Sequence, residues 1–336
     1  MVKAFILAAG KGTRLRPFTD AIPKPLIPVM NRPVMAGVLG LCVTHGIEAA
    51  VANLHYRGDH IEQFFGNGEP WGVKLSYSWE EQLMGTAGGV RRQASFLEDD
   101  TFVIISGDLV TNIDLGELIA FHKSQGAMVT MALKEVGDPT RFGVVVTDPQ
   151  GRIQSFQEKP QRAQAKSRMV NTGIYVMEPE VFNLIPANTF FDFGQDLFPL
   201  MLKHNLPIYA LETGGYWSDV GTLAQYLYTH WDLLTHPTIR ERIGENTIIE
   251  PGAIVSSNAL IGRNCHIRSG AQVLGYSCIG DGTVVEAGGK VLDSIVWAFD
   301  SLEGEALDFS LPIAEELIRT IRGNNHYIKM GVPALA

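Results

Sequence analysis

Along the first 135 positions, solid apolar runs alternate with stretches of helical period, the order expected of a sheet covered by helices. The runs Lys3–Ala9, Glu48–Asn53, Val73–Trp79, Phe102–Ser106 and Met128–Lys134 read as strands. Val34–His45, Asp59–Phe65, Thr86–Ala94 and Asp114–Gln125 read as helices, the last with Asp114 as its N-cap. From Phe142 to Val176 the strands shorten, with a turn at Asp148-Pro149-Gln150-Gly151. Helices return at Pro179–Leu184 and Phe193–His204, a strand follows at Ile208–Leu211, and a last helix covers Thr222 to Leu234. The pattern predicts an α/β fold, a Rossmann-like, mainly parallel mixed sheet with helices on both faces.

After His236-Pro237 the period changes to six. Ile243, Ile249, Val255, Ile261, Ile267, Val273, Ile279, Val285, Val291 and Trp297 are apolar at successive hexad positions. Small residues stand four places later in most hexads, among them Thr247, Ala253, Ala259, Cys265 and Ala271. This predicts a short left-handed parallel β-helix of hexapeptide repeats, each hexad forming one face of a triangular coil. The expected division is a catalytic domain at 1–235, a linker at 236–242, the β-helix at 243–298, and a helix (Pro312–Ile321) with a tail at 299–336.

Length and charge narrow the classes. At 336 residues, two domains are expected. The net charge of −9 argues against a nucleic-acid surface. No apolar run approaches the roughly 20 residues of a membrane span, and the strand that starts after two residues leaves no signal peptide. Cys42, Cys265 and Cys278 lack metal spacing and read as reduced thiols of a cytoplasmic protein.

Chemistry concentrates behind the first strand, in Leu7-Ala8-Ala9-Gly10-Lys11-Gly12-Thr13-Arg14-Leu15-Arg16-Pro17 and the later Pro23-Lys24-Pro25. Gly10 and Gly12 let backbone N–H groups approach a phosphate, and the prolines hold an extended loop that can return Lys24 to the same place. Lys11 precedes Gly12, so this is not a Walker A loop. Asp108 follows the apolar strand Phe102–Ile105, at the edge where open α/β sheets bind ligands. Asp219, in Trp217-Ser218-Asp219, offers a second carboxylate, and Mg²⁺ bridging phosphates asks for one or two. Gly85-Thr86-Ala87-Gly88-Gly89 opens a helix whose first N–H groups are available to a base or ribose.

Taken in order with Phe142-Gly143, Glu158-Lys159-Pro160 and Asn171-Thr172-Gly173, these motifs resemble those of the sugar nucleotidyltransferases over residues 3 to 234. The resemblance implies transfer of a nucleotidyl group from a nucleoside triphosphate to a hexose 1-phosphate, with release of pyrophosphate. It places Leu7 to Thr13, Gly85, Thr86 and Gly88 around the nucleotide, and Arg14 and Lys24 on its phosphates. Gly143, Glu158, Lys159, Asn171 and Thr172 then fall on the sugar phosphate, and Asp108 and Asp219 on Mg²⁺. In related enzymes a residue about five before the turn glycine reads the base. Here that residue is Glu80, whose carboxylate would accept both guanine donors, so GTP with mannose 1-phosphate is expected. The alternatives are UTP or dTTP with glucose 1-phosphate, or an inactive regulatory subunit. An acyltransferase would have to use His266, the single histidine of the repeat. His45, His55, His60 and His122 read as surface or capping residues. The β-helix is expected to support assembly into a homo-oligomer, and residues 1–240 alone to retain transfer.

Overall fold

The computed structural model describes residues 2–236, 241–300 and 306–310; the expected helix Pro312–Ile321 lies outside them. The chain forms two compact units. One is built from Met1–Gly12, Ile22–Leu26 and Val34–Asp219, the other from Thr13–Ala21, Ile27–Pro33 and the chain from Val220 onward. These units cut the chain differently from the division expected at residue 235.

The first unit is a nine-stranded sheet. Its strands are β1 (Lys3–Leu7), β2 (Ala49–Leu54), β3 (Lys74–Trp79), β4 (Phe102–Ser106), β6 (Val129–Glu135), β7 (Gly143–Thr147), β8 (Ile153–Glu158), β9 (Met169–Met177) and β10 (Ile208–Glu212); a short β5 (Leu109–Thr111) stands outside it. The order is β8-β7-β9-β4-β1-β2-β3, with β6 joining β9 to β10. β1 is central and pairs in parallel with β2 and β4, whereas β9 runs antiparallel to β4, β6 and β7. Ala4, Phe5 and Ile6 are all buried because both faces of β1 are covered, which is why the run is solidly apolar. Ile6 packs with Met35, Leu39 and Ile105 on one face, and Phe5 with Val90, Ile104 and Phe198 on the other.

The covering helices are α1 (Val34–Thr44), α2 (Gly58–Phe65), α3 (Gly85–Arg91), α4 (Leu115–Gln125) and α5 (Phe198–Lys203). Asp114 caps α4 by accepting from Glu117 N, as expected. Two helices depart from expectation. Pro179–Leu184 is a 3₁₀ turn, and Phe193–His204 divides into a π turn (Phe193–Leu197) followed by α5. Pro199 carries no N–H for an i−4 bond, so the ladder has to change register there. His122, expected at the surface, is fully buried: it bonds Thr130 Oγ1 and Glu178 Oε1, and burial lowers its pKa.

In the second unit, helix α6 (Leu223–Thr235) and the hairpin Pro28–Val29/Arg32–Pro33 belong with the repeats. Met30 and Asn31 turn the hairpin at φ 52 and 62. Tyr226 Oη donates to Pro28 O at 2.8 Å, and Asn31 Nδ2 donates to Ile279 O at 2.8 Å. Strands of two or three residues pair in parallel at intervals of one coil, as the hexads predict: Ile248↔His266↔Val284 and Ile254↔Gln272↔Lys290. Ile261, Ile267, Val273 and Ile279 fill the axis. The last hexad is one residue short, so Val296 rather than Trp297 stands over Ile279. His266 bonds Glu250 Oε1 at 2.6 Å on the outside of the coil.

Candidate active site

The site starts where β1 and β4 end. Gly107 N donates to Leu7 O at 2.9 Å, and a Cβ at 107 would lie 3.0 Å from that oxygen. Glycine therefore lets the chain hug the end of β1, and Asp108 emerges beside the glycine loop. The chain continues as β5, which pairs antiparallel with β11 (Trp217–Asp219), Asp219 standing opposite Leu109. A two-stranded ribbon thus brings together two acids that are remote in sequence. Lys24, returned by its proline-flanked 3₁₀ turn, makes an ion pair with Asp108 Oδ2.

Asp108 and Asp219 line one cavity of about 230 Å³ together with Leu7, Thr86, Gly143, Glu158, Lys159, Asn171 and Thr172. Pairing of β7 with β8 sets Gly143 opposite Glu158. A Cβ at 143 would lie 2.5 Å from the Phe156 ring, and one at Gly194 would lie 2.5 Å from Glu158 Oε2. These two glycines make the space in which Glu158 stands. Lys159 takes a left-handed conformation at φ 43, and its ammonium pairs with Glu158 Oε1. One wall is aromatic: Trp217 meets Phe142 edge-on at 5.5 Å and donates its Nε1–H to Thr172 O.

Several expected contacts are committed within the protein. Asn171 donates to Tyr175 Oη and accepts from Gly173 N, while the Thr172 hydroxyl donates to Ala132 O. The three residues form an irregularity in the β9–β6 ladder, with Gly173 at φ 80 above Ser106, and all three line the cavity. At the start of α3, Ala87 N and Gly88 N both donate to Phe191 O. Gly85 and Gly88 are glycines because a Cβ would strike Phe191 O at 2.5 Å or Thr189 O at 2.7 Å. Those N–H groups hold the segment around Phe191 and are not offered to a ribose. Glu80 is 3% exposed, with both carboxylate oxygens accepting from Asn53 Nδ2 and Met84 N.

Arg14 is exposed on a 3₁₀ turn (Thr13–Leu15) anchored by buried Leu15 in the second unit. Gly12 needs its glycine for φ 63, whereas a Cβ at Gly10 would meet nothing within 4 Å. Sequence reasoning missed Asp192 and Arg141. Asp192 lines the cavity, accepts from Thr86 Oγ1 and caps the π turn. Arg141 also lines it, with Nη2 buried and lacking a partner among the described residues. Its position directly before Phe142-Gly143 was the available signal.

Among the described residues no three His, Cys, Asp or Glu gather as metal ligands. The pair Asp108 and Asp219 is the number of carboxylates that suits Mg²⁺ when phosphates supply further oxygens. No described helix is long and apolar enough to cross a membrane.

Residues 3–236 match the nucleotidyl transferase family, and residues 242–275 match the bacterial transferase hexapeptide repeat. A UTP–glucose-1-phosphate uridylyltransferase of Synechocystis is 41% identical over 67% of this chain and 61% of its own length. A mannose-1-phosphate guanylyltransferase of Mycobacterium tuberculosis is 34% identical over 78% of this chain and 75% of its own. The crystal structure of HddC from Yersinia pseudotuberculosis in complex with GMP-PN aligns with a TM-score of 0.59 at 25% identity. It covers 68% of this chain and 98% of that one.

Proposed function

Because the chain belongs to the nucleotidyl transferase family, we propose that it joins a nucleoside triphosphate to a hexose 1-phosphate with release of pyrophosphate. The observation that supports this most is the ribbon carrying Asp108 and Asp219, with Lys24 on Asp108, at one cavity with Glu158 and Lys159. An oxygen of the sugar phosphate attacks the α-phosphorus, and the bond from that phosphorus to the β-bridging oxygen breaks. The nucleophile is already anionic and needs no general base. What the protein has to supply is alignment of two charged phosphates and neutralisation of the charge that builds up.

In this reading Lys159 and Arg141 hold the sugar phosphate, and Glu158 receives sugar hydroxyls. Lys24 holds the triphosphate, and the backbone of Gly10 to Gly12 cradles it. Mg²⁺ held by Asp108 and Asp219 would supply Lewis-acid neutralisation. Lys24 stands on Asp108 Oδ2 and balances that carboxylate. GTP with mannose 1-phosphate is the first reading of the substrates, because the guanylyltransferase relative matches through more of both chains. UTP with glucose 1-phosphate is the second, favoured by the 41% identity of the uridylyltransferase. In this reading Glu80 does not decide between them, being 3% exposed with each oxygen already accepting a hydrogen bond inside the protein. Pyrophosphate release over a matrix of nucleoside triphosphates and hexose 1-phosphates tests the reading. Turnover with no pair would refute it, and a preference for UTP would replace the first substrate reading with the second.

A further inference from the structure

Two segments proposed to border the nucleotide, the end of β1 and the turn before α3, are connected by a short buried chain of hydrogen bonds. Ala8 N donates to Asn53 Oδ1 at 2.7 Å. Asn53 Nδ2 donates to Glu80 Oε1 at 2.8 Å, and Met84 N donates to Glu80 Oε2 at 3.0 Å. Both side chains are 3% exposed. Their space is reserved by α3: a Cβ at Gly89 would lie 2.6 Å from Glu80 Oε1 and 3.0 Å from Asn53 Nδ2. The backbone at 80 is fixed as well, with Glu80 N donating to Leu54 O and Glu80 O bonded to His55 Nδ1.

We propose that Asn53 and Glu80 are a positioning pair that sets the distance between the two nucleotide-bordering segments, with Glu80 making no contact to the base. The proposal rests on the reading of those segments as nucleotide-binding. Its logic is one of hydrogen-bond parity. The chain ends on a backbone donor at each side, Ala8 N–H and Met84 N–H. Each end demands an acceptor, and an amide passes a donor on to the next group. Two amides in series would leave two donors facing each other. One of the two side chains therefore has to be a carboxylate, and it could stand at either position. Asn53 is also oriented without ambiguity, because Ala8 N fixes which of its ends is oxygen.

This gives a test by exchange. Glu80→Gln puts a donor against Asn53 Nδ2 or Met84 N, and the buried mismatch loosens both segments. The nucleotide kcat/KM is expected to fall by on the order of tenfold or more, by the same factor for GTP, UTP and dTTP, since one lost charged hydrogen bond is of this size. The KM for hexose 1-phosphate stays unchanged, and peptides covering residues 5–12 and 81–87 exchange backbone hydrogen faster. Adding Asn53→Asp restores the parity: the glutamine carbonyl accepts from Met84 N, its NH₂ donates to the new carboxylate, and that carboxylate accepts from Ala8 N. The double variant should recover nucleotide kcat/KM and slow exchange together.

Three results would overturn the proposal: a Glu80→Gln enzyme that behaves as wild type, a changed ratio between nucleotides with unaltered exchange, or a double variant no better than Glu80→Gln alone. The second would place Glu80 on the base. If the wild-type chain turns over no nucleotide, the proposed function falls, and the exchange measurement alone still decides for or against the pair.

Discussion

Lowering the pH should release the hairpin Pro28–Val29/Arg32–Pro33 by protonating one histidine. His230 lies on α6, 2% exposed, and both ring nitrogens are committed. Nδ1–H donates to Tyr226 O at 3.0 Å, and Nε2 accepts from Met30 N at 3.2 Å. The Met30 N–H can only donate, so this is the neutral Nδ1–H tautomer, and a proton on Nε2 would set donor against donor. Burial drives the pKa down from 6.5 to about 4, the bond to Tyr226 O opposing it. Between those values the unfolded chain binds a proton that the folded chain refuses. His230 thus contributes no destabilisation above pH 6.5, and stability is lost progressively as pH falls from 6.5 toward about 4. At about 1.4 kcal/mol per pH unit the loss amounts to about 3 kcal/mol. The measurement is urea unfolding across this range for the wild type and for His230→Gln, which cannot titrate. Buried His122 and the carboxylates titrate in both proteins, so the difference in pH slope isolates His230. Equal slopes would refute the reasoning.

Other expectations follow from the site and the repeat. Asp108→Asn keeps the side-chain shape but removes charge from the ribbon, and turnover at saturating Mg²⁺ should fall on the order of 10²-fold; unchanged turnover would remove Asp108 from the metal. Gly173→Ala adds a Cβ 2.6 Å from Ser106 Oγ at φ 80, so the KM for hexose 1-phosphate should rise and the melting temperature fall. A wild-type KM would show that the irregularity in β9 does not shape the sugar cavity. We propose that full-length protein assembles with itself beside the β-helix; light scattering on a size-exclusion column would show a monomer if this is wrong. CoA-dependent acyl transfer abolished by His266→Ala would overturn the reading of the coil as structural.

Most of the frame was legible because burial imposes periods. β4 lies on its predicted residues, and the hexads give the coil pairing residue by residue, since an aliphatic side chain is required at the axis at each step. The one slip, Val296 for Trp297, comes from a residue missing at the last corner, which leaves an apolar residue on either side of the correct place. The placing of Asp108, Lys24 and Lys159 at element ends was also readable, each sitting beside a proline or glycine that marks such an end, and Glu158 directly precedes Lys159. What could not be read was the direction of polar side chains. Asn171, Thr172, Glu80 and the N–H groups of Ala87 and Gly88 carry the right chemistry for a ligand, yet spend it on neighbouring backbone or side chains. A sequence records which groups exist and leaves open which tertiary partner claims them first.

The grouping of Thr13–Ala21 and Ile27–Pro33 with α6 and the coil has a consequence for how such a chain can be exchanged piecewise. A cut near residue 240 looks clean along the covalent chain, but it would strip Asn31 of its bond to Ile279 O and so leave a turn of the N-terminal half without its seat. The same holds for a chimera that grafts another enzyme's repeat after α6: the grafted coil has to offer a carbonyl where Asn31 expects one. Residues 27–33 and the coil are therefore heritable as a set. Relatives that exchanged only one of them would carry compensating changes in the other, and a functional chimera is best built by moving both together.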